Sequence, residues 1–576
     1  MKNFVQLKKN LKKDFSGLKK VKVALLGDSA TQFLTEAIRG YGFDCGLDLD
    51  IWEADFNQIE RQVYDVSSEL YTRKPEIVII FRSTHKLLLK YNKKGDVDRS
   101  SFAAKELNDI EGMYANISNE IGAKLIYFNY NEIDDSVFGN YANKVEASYI
   151  FQLRKLNYEL MVLASKSSGL FLLDIATIQN KIGRENMFSP SMYINTDMVL
   201  SLDAIPHIAS GVADIINAAV GKFKKCLILD LDNTTWGGII GDDGLENIQV
   251  GSLGIGKAFS ELQHWAKKLR QRGIIIAICS KNTESIAKEP FEKHPDMVLR
   301  LEDISVFMAN WDNKADNIRQ IQRVLNIGFD SMVFLDDNPF ERNIVRENIP
   351  EVCVPEIPED PANYLEFLYG LNLFETASYS NQDKDRTKLY QVEAERVKSF
   401  KKFTNTDDFL QNLEMESTIL PFDTFNTPRV AQLSQRSNQF NLRTKRYTEA
   451  DVERMSKSED YATFTFTLED KFGDNGLICV IILQKQSKEL FIDTWFMSCR
   501  VLKRGMENFV LNVLVDYAKK NGFTTLKGEF IATPKNDMVK DHYTNLGFSE
   551  KHGFFYLNVN DYKEKTSYIN TKETVL

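Results

Sequence analysis

Several features of secreted and membrane-embedded proteins are scarce or missing in this sequence. Its 576 residues include six cysteines and 13 prolines. The cysteines form no CxxC pair and no closely spaced framework, which is typical of free thiols in a reducing compartment. No stretch approaches the roughly 20 apolar residues of a membrane span, and the N-terminus lacks the apolar run of a signal peptide. These absences predict a cytoplasmic protein with no membrane span.

An excess of positive charge is also missing. The formal net charge is −9, from 72 basic and 81 acidic residues. Because nucleic acids are bound by basic surfaces, this charge argues against nucleic acid as a partner. Lysines and leucines in the segment 1–20 follow the pattern of a short amphipathic helix. For this helix, docking or fraying at the terminus is favoured over a role at a membrane surface.

The chain is too long for one hydrophobic core, and its patterns divide it into three predicted domains. Alternating apolar runs and amphipathic stretches predict two consecutive α/β domains, residues 1–220 and 221–375. The strands expected in them are 21–26, 77–81, 124–130, 170–175, 226–231, 274–279 and 332–335. Helices are expected between the later strands at 257–272 and 314–325.

The last part of the chain has a different pattern. Prolines between 350 and 361 mark the exit from the second α/β domain, and a charged helical stretch follows at 383–402. Antiparallel strands are expected at 464–468, 476–483 and 489–497, with a helix at 506–521. Residues 376–576 are therefore predicted to form a helical linker and an α+β domain.

Two carboxylates follow the strand that opens the second domain. Asp230 and Asp232 are two positions apart, and side chains at that spacing point the same way along a strand. Ligands bind at this edge of parallel sheets. Four further residues stand at strand or helix ends: Ser280, Lys314, Asp336 and Asp337. Each alone is compatible with a cap or a turn, but together they supply a nucleophile, Mg²⁺ ligands and groups that hold a phosphoryl.

This ordered set resembles the haloacid dehalogenase (HAD) superfamily. The resemblance implies an aspartyl-phosphate mechanism with Asp230 as nucleophile and Asp232 as acid and base. It further implies that Mg²⁺ is bound by Asp230, Asp232, Asp336 and Asp337, and that substrate is bound by Thr234, Ser280, Asn282 and Lys314. The short spacing between these residues leaves no room for a large inserted cap domain. We therefore expect the site to be covered by another domain, a partner or a bulky substrate.

Longer motifs resemble the FkbH-like proteins more closely. They are LDLDNTTWGG (229–238), CSKN (279–282), FLDDNPFER (334–342), SNQFNL (437–442), KFGDNGL (471–477) and MSCRV (497–501). The resemblance implies removal of phosphate from the glycolytic acyl phosphate 1,3-bisphosphoglycerate and loading of a glyceryl unit on an acyl carrier protein. It assigns the intermediate thioester to Cys499, whose pKa the following Arg500 could lower. The alternative for Cys499 is a buried small apolar residue.

The two flanking domains resemble other families. Residues 504–507, 535–536 and 543–548 resemble the GNAT acyltransferases, although Glu507 stands where a small residue is usual and would repel a pyrophosphate. A carrier-protein arm, or no acyl donor, therefore fits better than coenzyme A. The segment VALLGDSA (23–30) resembles the first block of the SGNH hydrolases and implies a triad of Ser29, Asp203 and His207. Because Asp203 and His207 are four apart with Pro206 between them, a degenerate domain is favoured over an active esterase.

Three functions follow from these patterns. The first is a phosphatase acting on a small phosphorylated metabolite or sugar phosphate, with the flanking domains as cover or scaffold. The second couples phosphate release to loading of a carrier protein. The third, a scaffold without catalysis, is disfavoured because every phosphoryl-transfer position is filled. The sequence predicts Mg²⁺ as the cofactor in either catalytic case.

Overall fold

The computed structural model describes residues 2–379, 389–393, 396, 405–498, 501–533 and 535–574. The chain forms two compact units, Met1–Ala219 and Val220–Leu576. The second and third domains expected from the sequence thus lie together in the second unit. No helix among the described residues is both long and apolar enough to cross a membrane.

A five-stranded parallel sheet organises the first unit. Its strands are β1 (Lys19–Gly27), β2 (Leu47–Glu53), β3 (Ile77–Phe81), β4 (Lys124–Phe128) and β5 (Leu170–Leu173). They are arranged in the order β2-β1-β3-β4-β5. All five residues of β3 are buried, as expected for a strand with helices on both faces of its sheet. The order reverses between β1 and β3, so the sheet is doubly wound.

Helices surround this sheet and include the expected N-terminal helix. Their bounds are Phe4–Asn10, Gln32–Asp44, Ile59–Tyr64, Glu69–Arg73, Thr84–Asn92, Asp96–Arg99, Phe102–Ile121, Tyr149–Lys166, Ile175–Ile182, Arg184–Met187, Pro190–Thr196 and Ala204–Ala219, with a 3-10 turn at Gly139–Lys144. The first helix is docked: Leu7 is fully buried, and Asn10 Nδ2 donates to the Gly40 carbonyl at 3.0 Å. A Cβ atom at Gly40 would lie 2.6 Å from the Leu7 carbonyl oxygen, so this close approach requires glycine.

The second unit begins with a four-stranded parallel sheet. Its strands are β6 (Cys226–Leu229), β7 (Ile275–Ser280), β8 (Val306–Ala309) and β9 (Met332–Leu335), in the order β8-β7-β6-β9. The helices of this region are Ile240–Asp243, Gly256–Gln271, Glu284–Lys293, Lys314–Leu325, Pro339–Asn348 and Tyr364–Leu371, with 3-10 turns at Leu301–Asp303, Phe329–Ser331 and Pro361–Asn363. Separate apolar clusters pack on the two faces of the sheet.

An eight-stranded mixed sheet forms the rest of the second unit. Its strands are β10 (Met415–Leu420), β11 (Tyr461–Asp470), β12 (Gly473–Gln486), β13 (Glu489–Met497), β14 (Thr525–Glu529), β15 (Ser549–Lys551), β16 (Phe554–Asn558) and β17 (Ile569–Thr574). Their order is β15-β16-β14-β13-β12-β11-β10-β17. The helices here are Thr406–Asn412, Thr427–Arg436, Glu449–Lys457, Met506–Lys520 and His542–Asn545, with a 3-10 turn at Asp537–Val539.

Strands β13 and β14 separate after only three paired positions. Residues 440–442 enter the gap between them. The Met497 amide donates to the Phe440 carbonyl at 3.1 Å, the Leu442 amide to the Trp495 carbonyl at 3.2 Å, and the Ile531 amide to the Leu442 carbonyl at 2.9 Å. The backbone of residues 440–442, the second half of the SNQFNL motif, therefore occupies the space between β13 and β14.

Most of the predicted strands and helices are confirmed, with ends shifted by a few residues. Two parallel strands were not predicted, β2 and β8, and both lie at sheet edges. Their residues are partly exposed, so they lack the continuous apolar run that marks a strand buried on both faces. The charged helix expected at 383–402 falls largely outside the described residues.

Candidate active site

Three carboxylates converge at the carboxyl edge of the four-stranded sheet. Asp230 follows β6, and Asp336 and Asp337 follow the neighbouring parallel strand β9. One oxygen atom from each lies within 4.8 Å of the others. Asp336 is fully buried and Asp230 is 6% exposed. Carboxylate oxygens grouped in this way are the ligands that a divalent cation such as Mg²⁺ prefers.

A buried lysine lies beside these carboxylates. The Lys314 Nζ atom is 3.0 Å from Asp230 Oδ2 and 2.5 Å from Asp336 Oδ2. Lys314 opens the helix Lys314–Leu325, and Asn313 caps that helix by accepting a hydrogen bond from the Ala315 amide. Burial alone would lower the pKa of Lys314, but the charges of Asp230 and Asp336 raise it above its ordinary value. The lysine is therefore charged.

The single positive charge of Lys314 does not neutralise the negative charges of all three carboxylates. Burial, reinforced by the charge of Asp230, raises the pKa of Asp336 well above its usual range, and burial likewise raises the pKa of Asp337. The Asp230 Oδ1 atom is buried and has no hydrogen-bond partner among the described residues. A surplus of negative charge and a buried oxygen without a donor are the features that a bound cation would satisfy.

Asp232 has a different environment from the other acids. Its Oδ1 atom accepts hydrogen bonds from Trp236 Nε1 at 3.0 Å and from the Ile240 amide at 3.1 Å, and its Oδ2 atom accepts from Asn282 Nδ2 at 2.8 Å. The group of candidate metal ligands is therefore Asp230, Asp336 and Asp337, one fewer than the four carboxylates expected.

The local backbone explains the different direction of Asp232. Strand β6 ends at Leu229, and the chain turns through Asn233, which has a left-handed φ of 53°. The rule that residues two apart share a face of a strand therefore does not extend to Asp232. Its carboxylate is held instead by donors from the turn and from the loop after β7.

Three expected substrate-binding residues meet at the same edge. Ser280 is 1% exposed and Thr234 is fully buried. The Ser280 Oγ atom accepts a hydrogen bond from Asn282 Nδ2 at 3.3 Å. The Thr234 hydroxyl accepts from the Asp337 amide at 3.0 Å and lies 3.3 Å from Asp337 Oδ1. Thr234 therefore orients Asp337, whereas Ser280 and Asn282 lie beside Asp232.

Two residues that support the site were not singled out from the sequence. Trp236 holds Asp232, as described above. Arg342 Nη1 donates to the main-chain carbonyls of Asp336 and Asp337 at 2.8 and 2.7 Å. Trp236 lies inside the motif at 229–238 and Arg342 inside the motif at 334–342, so both residues belong to segments that the sequence had marked. Their role in positioning the carboxylates becomes visible only in the three-dimensional structure.

No separately folded cap interrupts this part of the chain. Residues 230–314 are all described and contain β7, β8 and helices of the sheet domain. Large apolar side chains in the segments that follow the carboxyl ends of the strands are exposed: Ile239 by 45%, Leu253 by 85%, Trp311 by 73% and Phe340, in the first turn of a helix, by 66%. The expectation of an uncapped site agrees with this architecture.

The residues expected to form an N-terminal triad are not assembled into one. Ser29 is fully buried, Asp203 is exposed, and His207 lies on the helix Ala204–Ala219. No hydrogen bond or ion pair joins the three side chains in the part of the chain that the structure describes. Burial lowers the pKa of His207. The Ser29 hydroxyl is buried and has no hydrogen-bond partner among the described residues.

The candidate thioester residue cannot be placed in this geometry. Cys499 and the following Arg500 lie outside the described residues.

Comparisons with known proteins identify one family model and several similar solved structures. Residues 22–217 match a family model described as the FkbH N-terminal domain. The N-terminal part of the protein BF1531 from Bacteroides fragilis is 57% identical to this chain, with a TM-score of 0.63, over 66% of this chain and 100% of the solved one. That structure contains a phosphatase domain and is a complex with Mg. No curated protein matches the chain.

Two acetyltransferase structures are similar to a smaller part of the chain. The ribosomal-protein-S18-alanine N-acetyltransferase of Escherichia coli is 20% identical over 26% of this chain and 98% of its own, with a TM-score of 0.21. Spermidine N-acetyltransferase of Vibrio cholerae, solved with CoA and spermine, is 12% identical over 25% of this chain and 96% of its own, also with a TM-score of 0.21.

The fold and the site define a mixed α/β protein with an acidic centre at the carboxyl edge of a parallel sheet. Since the solved BF1531 fragment is covered in full at 57% identity, the chain belongs to the family that BF1531 represents, and its first unit matches the FkbH N-terminal domain.

Proposed function

We propose that the second unit is a Mg²⁺-dependent phosphatase of the HAD type, with Asp230 as its nucleophile. The observation that carries this proposal is the pairing of one buried, ammonium-bound carboxylate, Asp230, with a second carboxylate, Asp232, that is held apart from it by three donors. Nucleophile and acid–base roles require two carboxylates in such different surroundings. The phosphatase domain in the solved BF1531 fragment supports the same function.

The described residues fit a magnesium ion. Asp230, Asp336 and Asp337 would hold it, and the buried Asp230 Oδ1 atom, which lacks a donor, is one of the oxygens available. When bound, the ion neutralises phosphoryl charge. The Mg in the solved BF1531 fragment supports this assignment.

The side chains divide the chemistry between two steps. Asp230 attacks phosphorus, so that a bond forms from its carboxylate oxygen while the bond from phosphorus to the leaving oxygen breaks. Asp232 gives that oxygen a proton. In the second step Asp232 takes a proton from water, which attacks the phosphoaspartate and releases phosphate and free Asp230.

Other residues hold the transferred group in place. Lys314 and Ser280 would bind phosphoryl oxygens, and Asn282 would orient both Ser280 and Asp232. Thr234 acts through Asp337. Phosphoryl transfer depends mainly on positioning and electrostatics. These contacts would therefore provide most of the protein's contribution to catalysis.

A finer assignment concerns the substrate. The FkbH-like motifs favour 1,3-bisphosphoglycerate, which carries one acyl phosphate and one phosphate ester. The Cys499 thiolate would attack the acyl carbon and expel the acyl-bound phosphate, Asp230 would take the phosphoryl group of the ester, and the glyceryl thioester would pass to the thiol of an acyl carrier protein. The alternative is a stand-alone phosphatase of a small phosphorylated metabolite. The exposed Trp311 and Phe340 at the uncapped edge favour cover by a partner in either case, since water must be controlled during the reaction.

The proposal is tested by phosphate release. Phosphorylated metabolites would be screened with Mg²⁺, with and without carrier protein, using the parent chain, Asp230→Asn and Asp316→Asn. The Asp230→Asn variant is expected at background because an amide cannot form the phosphoaspartate. The Asp316 side chain is 62% exposed on the helix that Lys314 opens, so its variant should keep activity. Phosphate release by Asp230→Asn would exclude the mechanism.

The two substrate assignments are separated by a second variant. With Cys499→Ala, carrier loading measured by mass should disappear while phosphate release continues. Loading that persists would rule out the thioester but leave the phosphatase intact.

A further inference from the structure

A cavity of about 520 Å³ lies between the two sheets of the second unit. One wall comes from residues 326–331 and Lys225, which precede β9 and β6. The other comes from residues 436–440, from Met497 and Ser498 at the end of β13, and from Lys535. Two motifs noted in the sequence, SNQFNL and MSCRV, thus contribute described residues to one cavity. Its volume is within the range of roughly 300–1,000 Å³ typical of small-molecule sites.

This cavity is remote from the phosphoryl-transfer site. Lys225 and Ser331 stand immediately before β6 and β9, and the Lys225 amide donates to the Ser331 carbonyl at 2.7 Å. Asp230 and Asp336 stand immediately after the same strands. The two members of each pair are five positions apart in the sequence, and a strand advances about 3.3 Å per residue, so the two sites are about 16 Å apart on opposite edges of the sheet. A small molecule in the cavity does not reach Asp230.

The charges of the lining select an anion. Four cationic side chains line the cavity, Lys225, Arg429, Arg436 and Lys535, against two acidic ones, Asp330 and Glu351. All four of these side chains already have partners. Lys535 pairs with Asp330, and Lys225 Nζ donates to the Arg436 carbonyl at 3.0 Å. Arg436 Nη2 donates to the Ser378 carbonyl at 3.3 Å, and Arg429 Nη1 donates to Gln432 Oε1, so the partners of both arginines are neutral. A net positive lining remains, and guanidinium groups bind carboxylates and phosphates through paired hydrogen bonds.

The remaining walls combine apolar surface with neutral polar groups. Leu433, Phe440 and Met497 are buried side chains of the lining. Gln439 also lines the cavity, and its buried Oε1 atom has no hydrogen-bond partner among the described residues. A buried acceptor of this kind is stabilised when a ligand or a water donates to it.

We propose that this cavity is a second binding site, for an organic anion whose carboxylate or phosphate meets the cationic side chains and whose apolar part packs on Leu433, Phe440 and Met497. The site is separate from the acidic centre at Asp230, and its occupancy does not depend on phosphatase activity. A group exchanged between the two sites would have to leave one and travel to the other, free or on a carrier.

The test uses the full chain with Asp230→Asn and without Mg²⁺, so that phosphorylated probes are not consumed. Hexyl phosphate, inorganic phosphate and hexan-1-ol are titrated by calorimetry. Hexyl phosphate should bind one to one, about tenfold or more tightly than either of the others. It alone has both an anionic group for the cationic side chains and an apolar chain that can pack on the apolar part of the lining. Equal binding of hexan-1-ol, or no binding of hexyl phosphate at millimolar concentration, would overturn the proposal.

Substitutions then test which side chains contact the ligand. Lys535→Met should weaken hexyl phosphate binding about tenfold, because it removes a lining charge and leaves Asp330 without that partner. Lys535→Arg keeps the charge and should retain binding, which separates a lost contact from a misfolded protein, and thermal melting of both variants checks the fold. Lys540→Met is the matched control, since Lys540 is an exposed residue outside the lining. Binding unchanged by Lys535→Met would place the ligand elsewhere.

Discussion

Asn282 Nδ2 donates to Asp232 Oδ2 at 2.8 Å, from the loop after β7 to the turn after β6. This contact joins the ends of two neighbouring strands of the sheet at the carboxylate proposed as acid and base. The orientation of the Asp232 carboxylate therefore depends on a side chain that is 50 residues away in the sequence.

Removing that donor should impair proton transfer more than binding. Asn282→Ala is expected to lower kcat about 10- to 100-fold with a smaller change in KM, because Asp232 loses orientation but Lys314 still meets the phosphoryl group. The measurement is steady-state phosphate release across pH. A variant that lost affinity alone, with an unchanged kcat and pH profile, would contradict this positioning role.

Magnesium should stabilise the protein through the three grouped carboxylates. At a concentration 100-fold above its Kd, a cation bound only to the folded state adds about 2.7 kcal/mol to the free energy of unfolding. The melting temperature of the parent chain should therefore rise between EDTA and saturating Mg²⁺. The rise should be lost in Asp336→Asn and kept in Asp316→Asn; an equal rise in all three would place the ion at another site.

Lys314 should stabilise the metal-free site. Its removal in Lys314→Met leaves Asp230 and Asp336 buried together without their ammonium, at a cost of about 3–5 kcal/mol to folding. We expect a lower melting temperature in EDTA and a partial recovery in Mg²⁺, which supplies positive charge to the same oxygens. Lys293→Met, on an exposed i,i+4 pair with Glu289, should leave the melting temperature nearly unchanged.

Asp493 on β13 predicts a pH dependence of stability in the second unit. Burial alone would raise the pKa of Asp493, but hydrogen bonds from Lys445 and Tyr447 hold it below its ordinary value. A depressed folded-state pKa stabilises the protein above the unfolded pKa of about 3.9 and loses that effect as pH falls through the folded value. Asp493→Asn should therefore destabilise the protein by about 2 kcal/mol at pH 7.

The difference between Asp493→Asn and the parent chain should begin to shrink below about pH 4, where Asp493 of the unfolded chain becomes protonated, and should be lost as pH falls through the lowered folded-state pKa. Thermal melts at neutral and acidic pH provide the comparison. Asp516→Asn, on an exposed i,i+4 pair with Lys520, is the control. A difference that stayed constant with pH would assign the loss to packing rather than charge.

The sequence predicted the elements that carry strong local signals. Residues 332–335, 489–497 and 314–325 were placed with the ends that the structure shows. Continuous apolar runs identify strands buried on both faces, so Asp336 could be found at the end of such a strand. Lys314 could be found because it begins a helix with a clear amphipathic period. The edge strands β2 and β8 have no such run and were missed.

Other features depend on distant parts of the chain and could not be predicted. The direction of the Asp232 carboxylate is set by Trp236 and Asn282 after the strand has ended, so strand periodicity alone does not predict where this carboxylate lies. The insertion of residues 440–442 between β13 and β14 requires backbone hydrogen bonds to Trp495, Met497 and Ile531, for which an irregular segment has no sequence signal.

Asp230 follows β6, and Asp336 follows β9. At the opposite ends of these strands, Lys225 and Ser331 line the cavity. The acidic centre and the proposed cavity site are therefore joined by two strands of the same sheet. If an anion in the cavity changes the affinity of the acidic centre for its cation, thermodynamic linkage requires the cation to change the affinity of the cavity by the same factor. Comparing hexyl phosphate titrations with and without Mg²⁺ would measure that reciprocity and reveal whether the ends of the sheet are independent or coupled.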